Sequence, residues 1–239
     1  MQWTADEWQV CIEDGWWHEV LRLYAAQTAN ATPLVRACMQ VDTAEALKLA
    51  ENITKEALKV DRMLRERMTK ALVERTVIRL RSTPETVFEE SAPEIFGISD
   101  VPGTPLEYIQ NDYEAQDTVV IDHATGLMWQ RAGSENYMIY NETQQYIQQL
   151  NQQKFAGHSD WRLPTIPELM SLLEPEKHGK LYIDPIFDAT QIWCWSSDLR
   201  QIKGKSSRES AWLVVFHFGY VSRGYFYYEY YVRCVRSRQ

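Results

Sequence analysis

The chain of 239 residues has no run of about 18 apolar residues, so no stretch of it suits a bilayer-spanning helix. It holds no Gly-x-x-x-x-Gly-Lys-Ser/Thr loop, and a phosphate-loop nucleotide hydrolase is thereby excluded. Positive charge is in deficit, with Lys+Arg 25 against Asp+Glu 33, a net charge of −8 and a pI near 5.2. Nucleic-acid binding needs a basic surface to neutralise phosphates, and the short tail Arg233, Arg236, Arg238 does not supply one. Histidine is sparse: His18, His123, His158, His178 and His217 are scattered without a His-x-His or His-Glu-x-x-His pattern. The four cysteines, Cys11, Cys38, Cys194 and Cys234, also lack metal-type spacing, so no metal and no cofactor is expected. Met1 to Trp8 carries two tryptophans and acids in place of a basic region followed by an apolar one. That pattern reads as no export signal, hence reduced thiols and a cytoplasmic location.

Catalytic patterns are similarly thin. His158-Ser159-Asp160 places three hydrolase residue types in a row, but adjacent side chains do not form the base-to-nucleophile geometry of a triad. Cys194 and Cys234 lie inside apolar, strand-like runs, the setting of an inert buried thiol; whether the two pair in a disulfide is left open. His18 and Glu19 diverge as neighbours on a helix. No catalytic residue is expected.

What is present divides into a helical part and a mixed part. Residues 1–82 read as an all-α module. Trp17, Leu21 and Tyr24 recur at helical spacing, Thr32-Pro33 is a start signal with Thr32 as cap, Asp42-Thr43 opens another helix, and Asp61 caps a further one. Residues 83–107, with Pro84, Pro93, Pro102, Gly103 and Pro105, read as a punctuated linker. From 108 to 239 the pattern is α+β. Thr118–Asp122 and Leu127–Gln130 are strands around the turn His123–Gly126, and Tyr137–Leu150 is a helix. Thr165 and Glu168 form a capping box for a second helix reaching Leu173, and Ile192–Trp195 is a strand.

The stretch Ala211 to Arg236 is the most informative. Leu213–Phe216 and Val232–Val235 read as strands, yet between them nine aromatics fall among the sixteen residues Phe216–Tyr231 without an apolar period. Burying that many phenol hydroxyls without partners costs about 1–3 kcal/mol each, so many of these rings are expected at the surface. Exposed Tyr with Ser, Gly and His is the composition of a binding surface, because tyrosine offers large amphipathic area at low rotamer entropy. The expected ligand-contacting residues are Trp193, His217, Phe218, Tyr220, Ser222, Arg223, Tyr225, Tyr227, Tyr228 and Tyr230. Phe216, Gly219, Val221, Tyr231 and Val232 read as frame. The competing account packs the aromatics in a domain interface.

Four resemblances follow from quoted residues. Gly15-Trp-Trp-His-Glu-Val-Leu-Arg-Leu-Tyr-Ala-Ala-Gln27 with Ala31-Thr-Pro-Leu34 resembles the helical segment following the ATPase core of bacterial NACHT-type signalling NTPases. Four ordered blocks resemble bacterial C-type lectin-fold domains of the formylglycine-generating-enzyme type: Asp122–Trp129, Gly157–Leu169, Trp195–Asp198 and Tyr231–Arg236. That resemblance implies paired terminal strands, two helices on the sheet and a small second sheet presenting ligand. It also implies a structural Arg162 needing a carboxylate such as Asp160 or Glu168. Thirdly, the tyrosine stretch directly upstream of Val232-Arg-Cys-Val-Arg236 resembles the diversified region of variable proteins from diversity-generating retroelements. There, asparagine AAC codons mutated at adenine yield Tyr, Phe, His, Ser, Arg, Gly and Asp, but not Glu, Lys, Gln, Met or Trp. Glu174-Pro-Glu176 and Trp195–Asp198 are similar to the calcium blocks of animal lectins but lack their asparagines.

The expectation is a non-enzymatic recognition protein: an N-terminal all-α helical module followed by a C-type lectin-like α+β domain. Its partners are a protein ligand and, through the helices, an NTPase or signalling module, with no nucleic acid or membrane. The alternative is a structural or regulatory subunit whose aromatic C-terminal stretch is an assembly interface.

Overall fold

A computed structural model describes residues 5–41, 43–204 and 209–238. The chain divides into two compact units, Met1–Val77 and Ile78–Gln239.

The first unit is helical: α1 (Ala5–Glu13), α2 (His18–Gln27), α3 (Thr32–Val41), α4 (Ala44–Glu56) and α5 (Arg62–Thr76). Its core gathers Ile12, Leu21, Leu34, Val35, Ala50 and Ile53, the residues recurring at helical spacing. Thr43 accepts from the Ala46 amide at 3.1 Å and Asp61 from the Leu64 amide at 2.9 Å, so both act as N-terminal caps. Asp42 lies outside the described residues. At α3 the cap differs from the expectation. Asn30 Oδ1 accepts from the Thr32 amide at 3.1 Å, while the Thr32 hydroxyl accepts from the Asp61 amide at 2.9 Å and joins two turns. The His18 ring donates to the Ile12 carbonyl and Glu19 pairs with Arg22, so these neighbours serve separate partners.

The second unit contains β1 (Thr86–Phe88), α6 (Ala92–Phe96), β2 (Tyr113–Gln116), β3 (Val119–Asp122), β4 (Leu127–Gln130) and β5 (Met138–Ile139). It continues with α7 (Thr143–Gln152), α8 (Ile166–Met170), β6 (Trp193–Gln201), β7 (Ser210–Val215), β8 (Tyr220–Tyr225), β9 (Glu229–Tyr230) and β10 (Val235–Ser237). The fold class is therefore α+β. One sheet runs β10-β4-β3-β2, a second β1-β6-β7-β8, and β5-β9 form a small third. The last strand closes onto an early one, with Val235 opposite Trp129.

Two readings shift. The 83–107 segment is part of the second unit: β1 adds parallel to β6, and Val87, Ala92, Phe96 and Ile98 enter the core beside Trp212. Helix α7 begins at Thr143, six positions after the expected Tyr137, because Met138–Ile139 pair with Glu229–Tyr230 and Tyr140–Glu142 form a 3-10 turn.

Polar groups knit the core where the α8 start meets β6. The Asp198 carboxylate is 0% exposed, accepts two bonds from Arg81 at 2.8 and 2.9 Å, and takes the amides of Glu85 and Ile166 at 2.8 and 2.7 Å. Thr165 and Glu168 form the expected capping box, and Glu168 receives Arg162 through both guanidinium nitrogens at 2.7 and 2.5 Å. Asp160 pairs instead with Arg236 at 2.7 Å. Asp198→Ala strands the partly buried Arg81 and two amides. The expected loss is about 3 kcal/mol, read as a lower urea midpoint in equilibrium unfolding.

Candidate functional site

The β7–β8 hairpin carries the tyrosine stretch, and the pleat sorts its residues. Phe216 is fully buried, Val221 and Val232 are buried, and the amide of Val221 donates to the Gly103 carbonyl at 2.9 Å. Gly219 sits at φ 75°, the left-handed region where other residues are strained, and a Cβ there would lie 2.9 Å from the Tyr182 ring. Against this frame, Tyr227 is 66% exposed, Phe218 53%, Tyr228 50%, Tyr225 40% and Trp193 39%. His217, Tyr220, Ser222 and Tyr230 are half-buried.

The exposed rings fall into two groups. At one end of β8, Phe218 stacks on Tyr220 with centroids 5.8 Å apart and touches His217 edge-on at 4.6 Å. At the other end Tyr225, Tyr227 and Tyr228 pack together, with centroid distances of 5.4 Å for the stacked 225–227 pair and 4.7 Å for 227–228. Burial against neighbours raises the Tyr227 pKa, followed by its hydrogen bond to Tyr228 and the fields of Tyr228, Tyr225 and Glu209.

Tyr230 links this cluster to the core. Its ring is 4.6 Å from Trp195 and 5.5 Å from Trp193, both near-perpendicular, and partial burial raises its pKa. The ring lies over Gly224, where a Cβ would be 2.4 Å from Tyr230 and 2.9 Å from Trp195. Gly224 is thus needed for space, and nothing in the composition of the stretch flagged it.

Strand alternation separates Arg223 from Tyr220 and Ser222. Arg223 reaches Glu89 at 3.0 Å, which also receives Arg200. Two residues missed in the sequence join the aromatic network, Tyr137 at the surface and Tyr140 half-buried against Trp195. Tyr137 packs at a tilt of 32° on Tyr231 with centroids 4.0 Å apart, and Tyr140 stacks on Phe226 at 4.5 Å. Only β5–β9 pairing brings the first pair together, a contact with no local signal.

Other chemistry is geometrically limited. Cys194 and Cys234 are buried free thiols; burial pushes Cys194 up to about 12 and raises Cys234 as well. Arg233, fully buried, donates to the carbonyls of Gln130, Arg131 and Asp188 and lies 5.0 Å from the Phe187 ring, and burial lowers its pKa. Among the described residues no three His, Cys, Asp or Glu cluster as for a metal ion. Asp198 of the calcium-like block is already saturated by Arg81 and two amides. Two clefts, about 630 and 740 Å³, flank the domain; Gln130, Arg131 and Tyr146 line the first, Asn141, Asn151 and Arg162 the second. No helix among the described residues is long and apolar enough to cross a membrane.

A closing strand paired to an early one, helices on the sheet, and a small third sheet bordering an exposed aromatic hairpin make this unit an α+β domain. Residues 118–236 match the family model of the Lcl C-terminal domain. This match supports a C-type lectin-like domain related to those of diversity-generating retroelements; it leaves the helical unit outside. Comparison with curated proteins and with solved structures gives no match.

Two outcomes follow from the split between frame and surface. Gly224→Ala drives the Tyr230 ring off Trp195 and costs about 1–3 kcal/mol in urea unfolding, whereas the combined Tyr225→Ala, Tyr227→Ala, Tyr228→Ala variant keeps the wild-type midpoint. Iodoacetamide at pH 8 leaves Cys194 and Cys234 unlabelled in the native protein and labels both in denaturant; rapid native labelling by mass spectrometry would place an activated thiolate there.

Proposed function

We propose that the protein is a non-enzymatic recognition protein whose second domain displays a diversified, tyrosine-rich surface to a protein ligand. The observation carrying this reading is the division within one stretch. Phe216, Gly219, Val221 and Val232–Arg236 are packed inside, while Phe218, Tyr225, Tyr227 and Tyr228 are set out in solvent with Trp193 and Tyr230 beside them. Such a patch of large, amphipathic side chains on a rigid frame suits capture of a protein epitope, with tyrosine rings as anchors and Ser222 and His217 as adaptable contacts. The Lcl C-terminal match supports a retroelement variable protein as the source of this surface. The helical unit, by its sequence resemblance to segments of NACHT-type NTPases, is the part that couples capture to a signalling partner in a cytoplasmic setting.

The genomic test is direct. DNA neighbouring the gene is expected to carry a reverse transcriptase and an adenine-rich template repeat matching codons 190–236; a neighbourhood with neither overturns the retroelement origin while leaving the domain assignment intact. The assembly alternative predicts concentration-dependent self-association abolished by the Tyr225/Tyr227/Tyr228 alanine variant. Sedimentation velocity of the intact chain is expected instead to show one species, unchanged by that variant.

A further inference from the structure

We infer that the Tyr225–Tyr227–Tyr228 cluster, with Glu209 and Glu229 at its edge, is a subsite for a lysine or arginine side chain of the bound protein. This assignment rests on the recognition reading above and names the chemistry of what is recognised.

Three observations meet here. First, the rings form one exposed cluster, with centroids between 4.7 and 6.3 Å apart, so several electron-rich faces and phenol oxygens lie within the span of a single side chain. A cation within about 6 Å of such a ring is attracted by its quadrupole, and the attraction grows as the cation loses water. Second, carboxylates border the cluster. The Phe226 amide donates to the Glu209 carbonyl at 2.8 Å and Ser210 pairs with Tyr225, which seats exposed Glu209 beside the turn. Exposed Glu229 follows Tyr228 directly in β9. Neither carboxylate has a cationic partner among the described residues, and Arg223, two positions before Tyr225, is held by Glu89. Third, the whole chain carries a net charge of −8, so its long-range field draws a basic epitope and repels an acidic one.

The other end of β8 differs. His217, Phe218 and Tyr220 form an aromatic group on the turn leading out of β7. The surface thus joins an apolar contact to a cation-selective one, a pairing that favours an epitope with a basic residue flanking an apolar patch.

A random linear peptide library displayed on phage, panned against the intact chain, tests this. The counter-target is the Tyr225→Ala, Tyr227→Ala, Tyr228→Ala variant, which keeps every charge and so removes peptides held by net charge alone. The expected pool is enriched in Lys or Arg. Its synthetic peptides lose about tenfold in affinity on the tyrosine variant and severalfold on Glu209→Gln, Glu229→Gln. Peptides that depend on the tyrosines yet show no Lys or Arg enrichment, or that bind equally well after the Glu→Gln changes, overturn the cation subsite and leave the recognition reading standing. A pool that does not distinguish the wild type from the tyrosine variant overturns both.

Discussion

The contact of the Tyr230 ring with Gly224 and Trp195 fixes where the exposed tyrosines stand. Trp195 is fully buried on β6, and its indole nitrogen donates to the Met138 carbonyl at 3.0 Å, which anchors β5. β5 pairs with β9, β9 carries Tyr230, and Tyr230 returns over Gly224 on β8 against the same tryptophan. The constraint therefore closes on itself. Tyr225–Tyr228 span the gap between two clamped ends, so their turn is held from both sides. A preorganised turn loses less conformational entropy on binding than a loose loop, and it can hold affinity in a small set of rings.

A second set of constraints keeps that hairpin independent of its own surface. Asp198 joins Arg81, Glu85 and Ile166, which ties the start of the unit and the start of α8 to β6. Arg233 joins β4 and the 188 loop to the closing stretch through carbonyl oxygens. This buried guanidinium is held mainly by carbonyls and an aromatic face, with the field of Asp188 offsetting only part of its desolvation, so it relies on geometry. These contacts use none of Phe218, Tyr225, Tyr227 or Tyr228. Stability and the exposed aromatic surface draw on different atoms, which is the condition under which a surface can change its chemistry without unfolding its support.

The sequence made much of this frame legible because its signals are local. The capping box at Thr165–Glu168 and the hairpin Val119–Gln130 are set by neighbours within a few residues, and both appear as expected. The exposed excess of tyrosine was legible from the cost of burying hydroxyls. What stayed hidden depends on distant partners. Met138–Ile139 look like the start of a helix until β9 pairs with them, and Thr86–Phe88 look like linker until β6 supplies a parallel neighbour. The pleat, which composition does not reveal, divides the expected residues of β8 between two faces: Tyr220 and Ser222 on one, Arg223 and Tyr225 on the other, with Arg223 reaching Glu89.

The same pleat grades the positions of the stretch by how freely they vary. Along β8 the frame leaves little latitude: Val221 is buried with its amide bound to Gly103, Gly224 admits no side chain under Tyr230, and Tyr220 is half-buried in a stack with Phe218. A change at Tyr220 must therefore suit Phe218, and the two positions are coupled. The turn is different. Tyr227 contacts Tyr225, Tyr228 and solvent, so it can be replaced without disturbing a buried neighbour, whereas Tyr228 also meets the half-buried Tyr230 with centroids 6.4 Å apart. A substitution at Tyr227 alters the exposed surface, whereas one along the strand also alters how the hairpin packs. A surface built this way has its widest chemical range where the chain is clamped at both ends and its narrowest where the strand meets the core.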